Sequence, residues 1–226
     1  MIAGISSRKG GVTKTTTSVS LAESLARAGY LTIVVDRDGQ LNTLDVFGMR
    51  IVSDMGIVAP GIYDTGRPGL HVYPAGNEHD VDLLALAGEY DAVIVDCPPD
   101  DFVQRTTLPY ADVVIVPASC ETLGLRGALA TMNMIRGIAL PPKVYILPAL
   151  YNGSKTHQDN LEALTDLIPD TETGPTIYAN GNVPRGQKAG QTIYQCTGRG
   201  MADLRRQYDI MAEWLAADIG RKVISL

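Results

Sequence analysis

A chain of 226 residues with 45% hydrophobic and 19% charged residues has the apolar material for one sizeable domain, spanning 1–226, and its composition excludes a disordered or fibrous protein. The formal net charge of −6 excludes a surface that coats nucleic acid on every side and leaves room only for a local basic patch. No apolar run approaches the roughly 20 residues that span a bilayer, no charged-then-apolar leader opens the chain, and the cysteines, Cys97, Cys120 and Cys196, are odd in number and widely spaced, against a disulfide framework; a cytoplasmic location is the expectation.

In chain order, the apolar run Ile2–Ile5 leads through a glycine-containing loop into a helical pattern at Thr15–Ala28, closed by Gly29. Leu31–Val35 reads as the next strand. The stretch Thr43–Pro68, with Gly48, Gly56, Pro60, Gly61, Gly66 and Pro68, reads as a mobile connection, after which Leu70–Tyr73 resumes a strand-like pattern. Helical spacing at Asp80–Ala87 precedes the strand Ala92–Val95, and Asp101–Tyr110 precedes Val113–Val116. Thr122–Arg136 then reads as helix, Lys143–Leu147 as strand, and Gln158–Leu167 and Met201–Ala217 as helices. Strands apolar on both faces that alternate with helices predict a doubly wound α/β fold, a mainly parallel sheet covered by helices on both faces.

The chemistry begins where the first strand ends, at Lys9-Gly10-Gly11-Val12-Thr13-Lys14-Thr15-Thr16-Thr17. Paired glycines before a helix let successive N–H groups converge on an anion, since residues without a Cβ take positive φ freely. Lys14 is placed to reach terminal phosphates and the Thr15 hydroxyl to ligate Mg²⁺. The strict P-loop pattern would have glycine at positions 8 and 13, where this chain has Arg8 and Thr13. Three acids fall at strand ends, Asp36 and Asp38 after Leu31–Val35 and Asp96 after Ala92–Val95, where an open α/β sheet binds ligands. Carboxylates there suit a Mg²⁺ shell and an in-line water, or else serve as helix caps. His71, His79 and His157 lack zinc spacing.

A loop that opens Lys-Gly-Gly and ends Lys-Thr-Thr resembles the deviant Walker A motif of the ParA/MinD family. Tyr90-Asp91-Ala92-Val93-Ile94-Val95-Asp96-Cys97-Pro98-Pro99 resembles its Walker B strand, Val34–Gln40 its A′ segment, and Ala111–Pro117 with Cys120-Glu121 and Val183-Pro184-Arg185 also match the ParA pattern. The likeness runs from Met1 to about Ala217. It implies a deviant Walker A type of P-loop ATPase that uses ATP and Mg²⁺ and dimerises face to face around two ATP molecules. Lys9, by that likeness, reaches the partner's nucleotide, and Gly10, Gly11, Val12, Thr13, Lys14, Thr15 and Thr16 cradle the phosphates. Asp38 is tied to the attacking water, Thr15, Asp38 and Asp96 to the metal, and Asn152, Pro184 and Arg185 to the adenine. Cys97 stands where ParA relatives have cysteine without a metal, so an iron-sulfur site is not expected.

Between Val183 and Arg206 the chain carries Arg185, Lys188, Arg199, Arg205 and Arg206 against one acid, Asp203. The resemblance places Lys188 and Arg199 where ParA relatives touch DNA non-specifically, with Arg205 and Arg206 close by on a helix; a solvated basic face is the plainer reading. No helix-turn-helix precedes the loop, so the likeness is to the short ParA type, in which a separate ParB-like adaptor reads the centromere and the ATPase associates with the nucleoid. The expected role is partition of plasmid or chromosomal DNA, or cargo positioning. A MinD-like membrane regulator is the first rival, disfavoured because the polar face of Tyr208–Asp218 is acidic and anionic lipid would repel it. A metabolic P-loop synthetase of related fold is the second.

Overall fold

The computed structural model describes residues 1–49, 58–77, 80–168 and 171–224; residues 50–57 of the irregular stretch, and His79, lie outside the described residues. The strands are β1 (Ile2–Ile5), β2 (Thr32–Asp36), β3 (Tyr63–Arg67), β4 (Leu70–Pro74), β5 (Ala92–Asp96), β6 (Val113–Ser119), β7 (Lys143–Ala149) and β8 (Glu172–Thr173). They form one sheet in the order β3-β4-β2-β5-β1-β6-β7-β8. Among the described residues only the edge pair β3/β4 is antiparallel. The helices are α1 (Lys14–Arg27), α2 (Asn42–Val46), α3 (Leu83–Glu89), α4 (Asp101–Thr107), α5 (Thr122–Arg136), α6 (Lys155–Leu167), α7 (Asn182–Lys188) and α8 (Met201–Ile224).

Side chains alternate across the strands, so the sheet separates two cores. Ala3, Ile5, Val34 and Ile94 face one side with Leu21 and Leu25 of α1 and Met211 and Leu215 of α8. Ile2, Ile33, Val35, Val93 and Val95 face the other with Leu86, Ala128 and Met132. Each fully buried Leu or Ile here contributes about 1.5–3 kcal/mol. The apolar stripe of α8 is therefore core: Leu204, Tyr208, Met211 and Leu215 are all buried.

The boundaries differ from the sequence expectation where side chains cap or break a helix. The Asp82 carboxylate accepts from Ala85 N at 2.9 Å, so α3 starts after Asp82 rather than at Asp80. Ser154 accepts from His157 N at 3.3 Å and starts α6 before Gln158. Pro109 turns the end of the expected Asp101–Tyr110 helix into a 3₁₀ turn, Leu108–Tyr110. Within the stretch read as a mobile connection, α2 and β3 are ordered elements. The Arg67 guanidinium at the end of β3 lies 5.1 Å from the Phe47 ring and 3.6 Å from the buried Glu23 carboxylate of α1.

Parallel pairing brings the carboxyl ends of β1, β2 and β5 level, with Ile5 opposite Asp96 and Asp36 opposite Asp96. That edge is where α1 begins.

Candidate active site

The loop from Lys9 to Thr13 takes the shape its glycines allow. Gly11 has φ 74°, and Thr13 has φ 71° and ψ 21° at the N-cap of α1. A left-handed conformation costs a residue with a Cβ roughly 1–2 kcal/mol, more for a branched one. Thr13 thus adopts a conformation ordinarily left to glycine. It makes no side-chain cap to the first turn of α1, which leaves that turn's N–H groups and the positive end of the helix dipole to an anion.

Lys14 is buried at 9% exposure, and its ammonium donates to Lys9 O at 3.3 Å. Burial pulls its pKa down, while the Asp96 and Asp38 carboxylates oppose this. Asp96, at 1% exposure, accepts from Ser18 Oγ at 3.1 Å through Oδ1, whereas its Oδ2 is buried without a partner among the described residues. Burial first, and then the neighbouring Asp36, push the Asp96 carboxyl well above the usual carboxylate range, against the pull of Thr15, Ser18 and Lys14. An orphaned buried oxygen beside Thr15 fits a Mg²⁺ that takes most of its other ligands from phosphates and water. Thr15, Asp96 and, at the edge of the same field, Asp38 would hold that ion, which supplies charge neutralisation to the β- and γ-phosphates when bound. Among the described residues no group of three or more His, Cys, Asp or Glu is arranged to hold a metal alone.

Asp36 does different work. Its Oδ2 accepts from Thr43 N at 3.1 Å and Thr43 Oγ1 at 2.6 Å, and its Oδ1 from Asp38 N at 2.9 Å. It clamps the segment that carries Asp38, which is the capping role open to acids at strand ends. Burial raises its pKa to about 6.

Lys9 lies folded onto its own subunit, with Nζ 3.2 Å from Glu121 Oε2 and 3.4 Å from Ser119 Oγ. Gly127 of α5 permits this approach, since a Cβ there would meet Lys9 Cβ at 2.7 Å. Arg8 pairs with Asp101 at 2.8 Å and ties the loop to α4. Pro184 and Arg185, which the resemblance ties to the adenine, lie in the short helix α7, where Pro184 occupies the first turn and needs no N–H partner. Both are exposed. The Asn152 carboxamide accepts from Ser154 N at 3.0 Å, a turn-forming bond ahead of α6.

A cavity of about 320 Å³ beside the cradle is lined by Thr15, Thr16, Asn42, Pro184, Gln187 and Lys188, among others. Gln187 Nε2 donates to Thr16 Oγ1 at 2.9 Å, so α7 is joined to the first turn of α1. Lys188, Arg199 and Arg206 are exposed. Arg205 corrects the expectation of a fourth outward cation: half-buried, it donates Nε to Ile193 O at 2.9 Å and Nη2 to Cys196 O, bracing the turn before α8. Ser18, Gln187, Ser119 and Tyr208 are contacts the sequence reading missed. Ser18 alone had a signal, four residues after Lys14 on one helical face.

Comparison with known proteins agrees with this geometry. A family model described as "AAA domain" matches residues 1–64 and 78–143. The chain is 31% identical to the chromosome-partitioning ATPase Soj of Thermus thermophilus over 84% of this chain and 86% of that protein. It is 33% identical to the chromosome partitioning protein ParA of Myxococcus xanthus over 54% of this chain, and spans about half the length of that relative, 53%. The fold superposes on MinD of Pyrococcus horikoshii, solved with Mg-ADP, with a TM-score of 0.75 at 19% identity, covering 95% of each chain. The strand-loop-helix cradle, the carboxylates at the sheet edge and these matches together make the chain a member of the ParA-type partition ATPases within the AAA-domain family, and so an ATP hydrolase.

Proposed function

We propose that this ATPase partitions plasmid or chromosomal DNA, or positions a cargo along it, by forming an ATP-dependent homodimer that binds DNA non-specifically. Mg-ATP occupies the cradle of residues 9–16, Lys14 holds the terminal phosphates, and Asp38 positions the attacking water. Lys9 leaves its seat on Glu121 to reach the nucleotide of the partner subunit. Lys188, Arg199 and Arg206 then contact DNA phosphates, and a separate ParB-like adaptor stimulates hydrolysis and resets the cycle on the nucleoid, away from membranes.

The observation that carries this reading is the Gln187–Thr16 hydrogen bond. It joins the helix that receives the phosphates to the residue next to Lys188, so nucleotide state and the basic face share one structural link. Phosphate contacts of this kind give binding that ignores sequence and falls steeply with salt. On α8 the exposed side chains include Asp203 and Glu213 beside Arg206, a poor match for anionic lipid.

The test is a DNA mobility shift with ATP, ADP or no nucleotide at two salt concentrations, alongside flotation with anionic liposomes. Retention with ATP alone, weakened by salt and without flotation, supports the proposal. ATP-dependent flotation without a DNA shift would replace it with a MinD-like reading.

A further inference from the structure

Tyr208 sits on α8 at 1% exposure, with its hydroxyl 3.4 Å from Thr17 Oγ1. Thr17 Oγ1 in turn lies 3.5 Å from Thr13 Oγ1, and Thr17 N donates to Thr13 O at 2.8 Å. A phenol buried this deeply needs a polar partner, and the hydroxyls that act on it are those of Thr17 and Thr13. Burial pushes its pKa to about 12, so it remains a neutral phenol at any physiological pH. At the far end of this line is Thr13, the branched residue at φ 71°. Such a conformation persists only where the surroundings over-determine it. Glycine would need no such support.

We infer that Tyr208 is a positioning residue for the phosphate loop: through the Thr17 and Thr13 hydroxyls it holds Thr13 in the left-handed conformation that turns the loop's N–H groups toward the nucleotide. A ring whose body packs in the core between α1 and α8 and whose hydroxyl meets the root of the loop does both jobs at once. The substitution of threonine for glycine at position 13 and the tyrosine at 208 are, in this account, a matched pair. The inference rests on residues 9–17 being the ATP phosphate site.

The experiment is a double-mutant cycle read by the Kd of Mg-ATP in calorimetry and by KM and kcat for hydrolysis, with Tm recorded for each protein. Tyr208→Phe keeps the ring and removes the hydroxyl; Thr17→Val cuts the same line without touching the ring. Each is expected to raise Kd and KM for Mg-ATP about tenfold with kcat changed less than about twofold, the pattern of lost uniform binding. In a Thr13→Gly background, which sets its own reference value, the same two substitutions are expected to change Kd by less than about twofold, since the Thr17–Tyr208 contact then has no residue-13 hydroxyl to act on and uncoupled sites no longer interact. Equal loss in both backgrounds, or no loss in the threonine background, overturns the inference and leaves Tyr208 as packing. Failure of the unsubstituted protein to bind Mg-ATP refutes the site itself and takes this inference with it. A drop in Tm without a change in Kd counts against it as well.

Discussion

The phosphate cradle and the basic face stand on either side of the Gln187–Thr16 hydrogen bond, yet they are built on opposite principles. At the heart of the cradle the ionisable groups are buried and face neighbours: Lys14 is 9% exposed against the Lys9 carbonyl, and Asp96 is 1% exposed against Ser18. On the face, Lys188, Arg199 and Arg206 stand in solvent, and among the described residues no ion pair involves them. Buried charge discriminates by geometry, because a misplaced group pays full desolvation. Exposed charge works by number and is tuned by salt.

The two regions should therefore fail differently. The largest effect is expected for Lys14→Ala, which removes the one buried cation of the cradle and leaves the Asp96 and Asp38 carboxylates without it. Mg-ATP affinity should fall on the order of a hundredfold or more, as for other charge-assisted contacts in dry sites. Calorimetry checks this, and if the proposed ATP-dependent mechanism holds, DNA retention should vanish with it. Near-normal Mg-ATP binding by that variant would mean that the phosphates lie elsewhere.

Asp38→Ala separates binding from chemistry. Hydrolysis should drop roughly 10²–10⁴-fold, the range for removal of a group that manages a proton or water in the transition state. ATP-dependent dimerisation, followed by light scattering, should survive. The face is broken next, by Lys188→Glu with Arg199→Glu. DNA affinity should fall about tenfold or more at low salt, and the slope of log affinity on log salt should shrink by about two, one phosphate contact per cation. ATP binding should be unchanged because neither side chain enters the cradle's hydrogen bonds. A loss of ATP binding in that pair would show the two regions to be one site.

The same contrast explains what could be read from sequence. The cradle is local: one strand, one loop and one helix between Ile2 and Arg27, so spacing alone places Lys14 and Thr15, and the acids fall at strand ends by the rule that governs open sheets. The alternation of apolar runs with helical stretches is enough to locate β1, β2, β5, β6 and β7 along the chain, whereas their order in the sheet comes from the structure. Elements whose stability comes from distant partners were not legible. β3, Tyr63–Arg67, carries little apolar material and exists because it pairs with β4 and because Arg67 reaches Phe47 and Glu23. α7 contains Pro184 and Gly186, poor helix residues, and is held from outside through Gln187. Arg205 looks like any surface cation in the sequence; only the path of residues 193–196 turns it inward. Asp36 and Asp96 are neighbours in register but 60 residues apart in sequence, so the effect of Asp36 on the protonation of Asp96 belongs to the fold.

That last pair yields the smallest expected effect and a test confined to the cradle. Burial and Asp36 hold the Asp96 carboxyl high, so near neutral pH the nucleotide-free site retains a proton that the unfolded chain would have lost. Between the unfolded and folded pKa values the native state binds more protons, and its stability therefore falls as pH rises through that window. Mg²⁺ needs the carboxylate and must displace this proton. Mg-ATP binding at pH 7 should thus release a fraction of a proton, up to about one, visible as different calorimetric enthalpies in buffers of unlike ionisation heat. Affinity for Mg²⁺ should weaken as pH is lowered. Asp96→Asn should abolish both the proton release and the pH dependence, whereas Lys188→Glu should alter neither; proton release that persists in Asp96→Asn would assign it to another group and leave Asp96 ionised in the free protein.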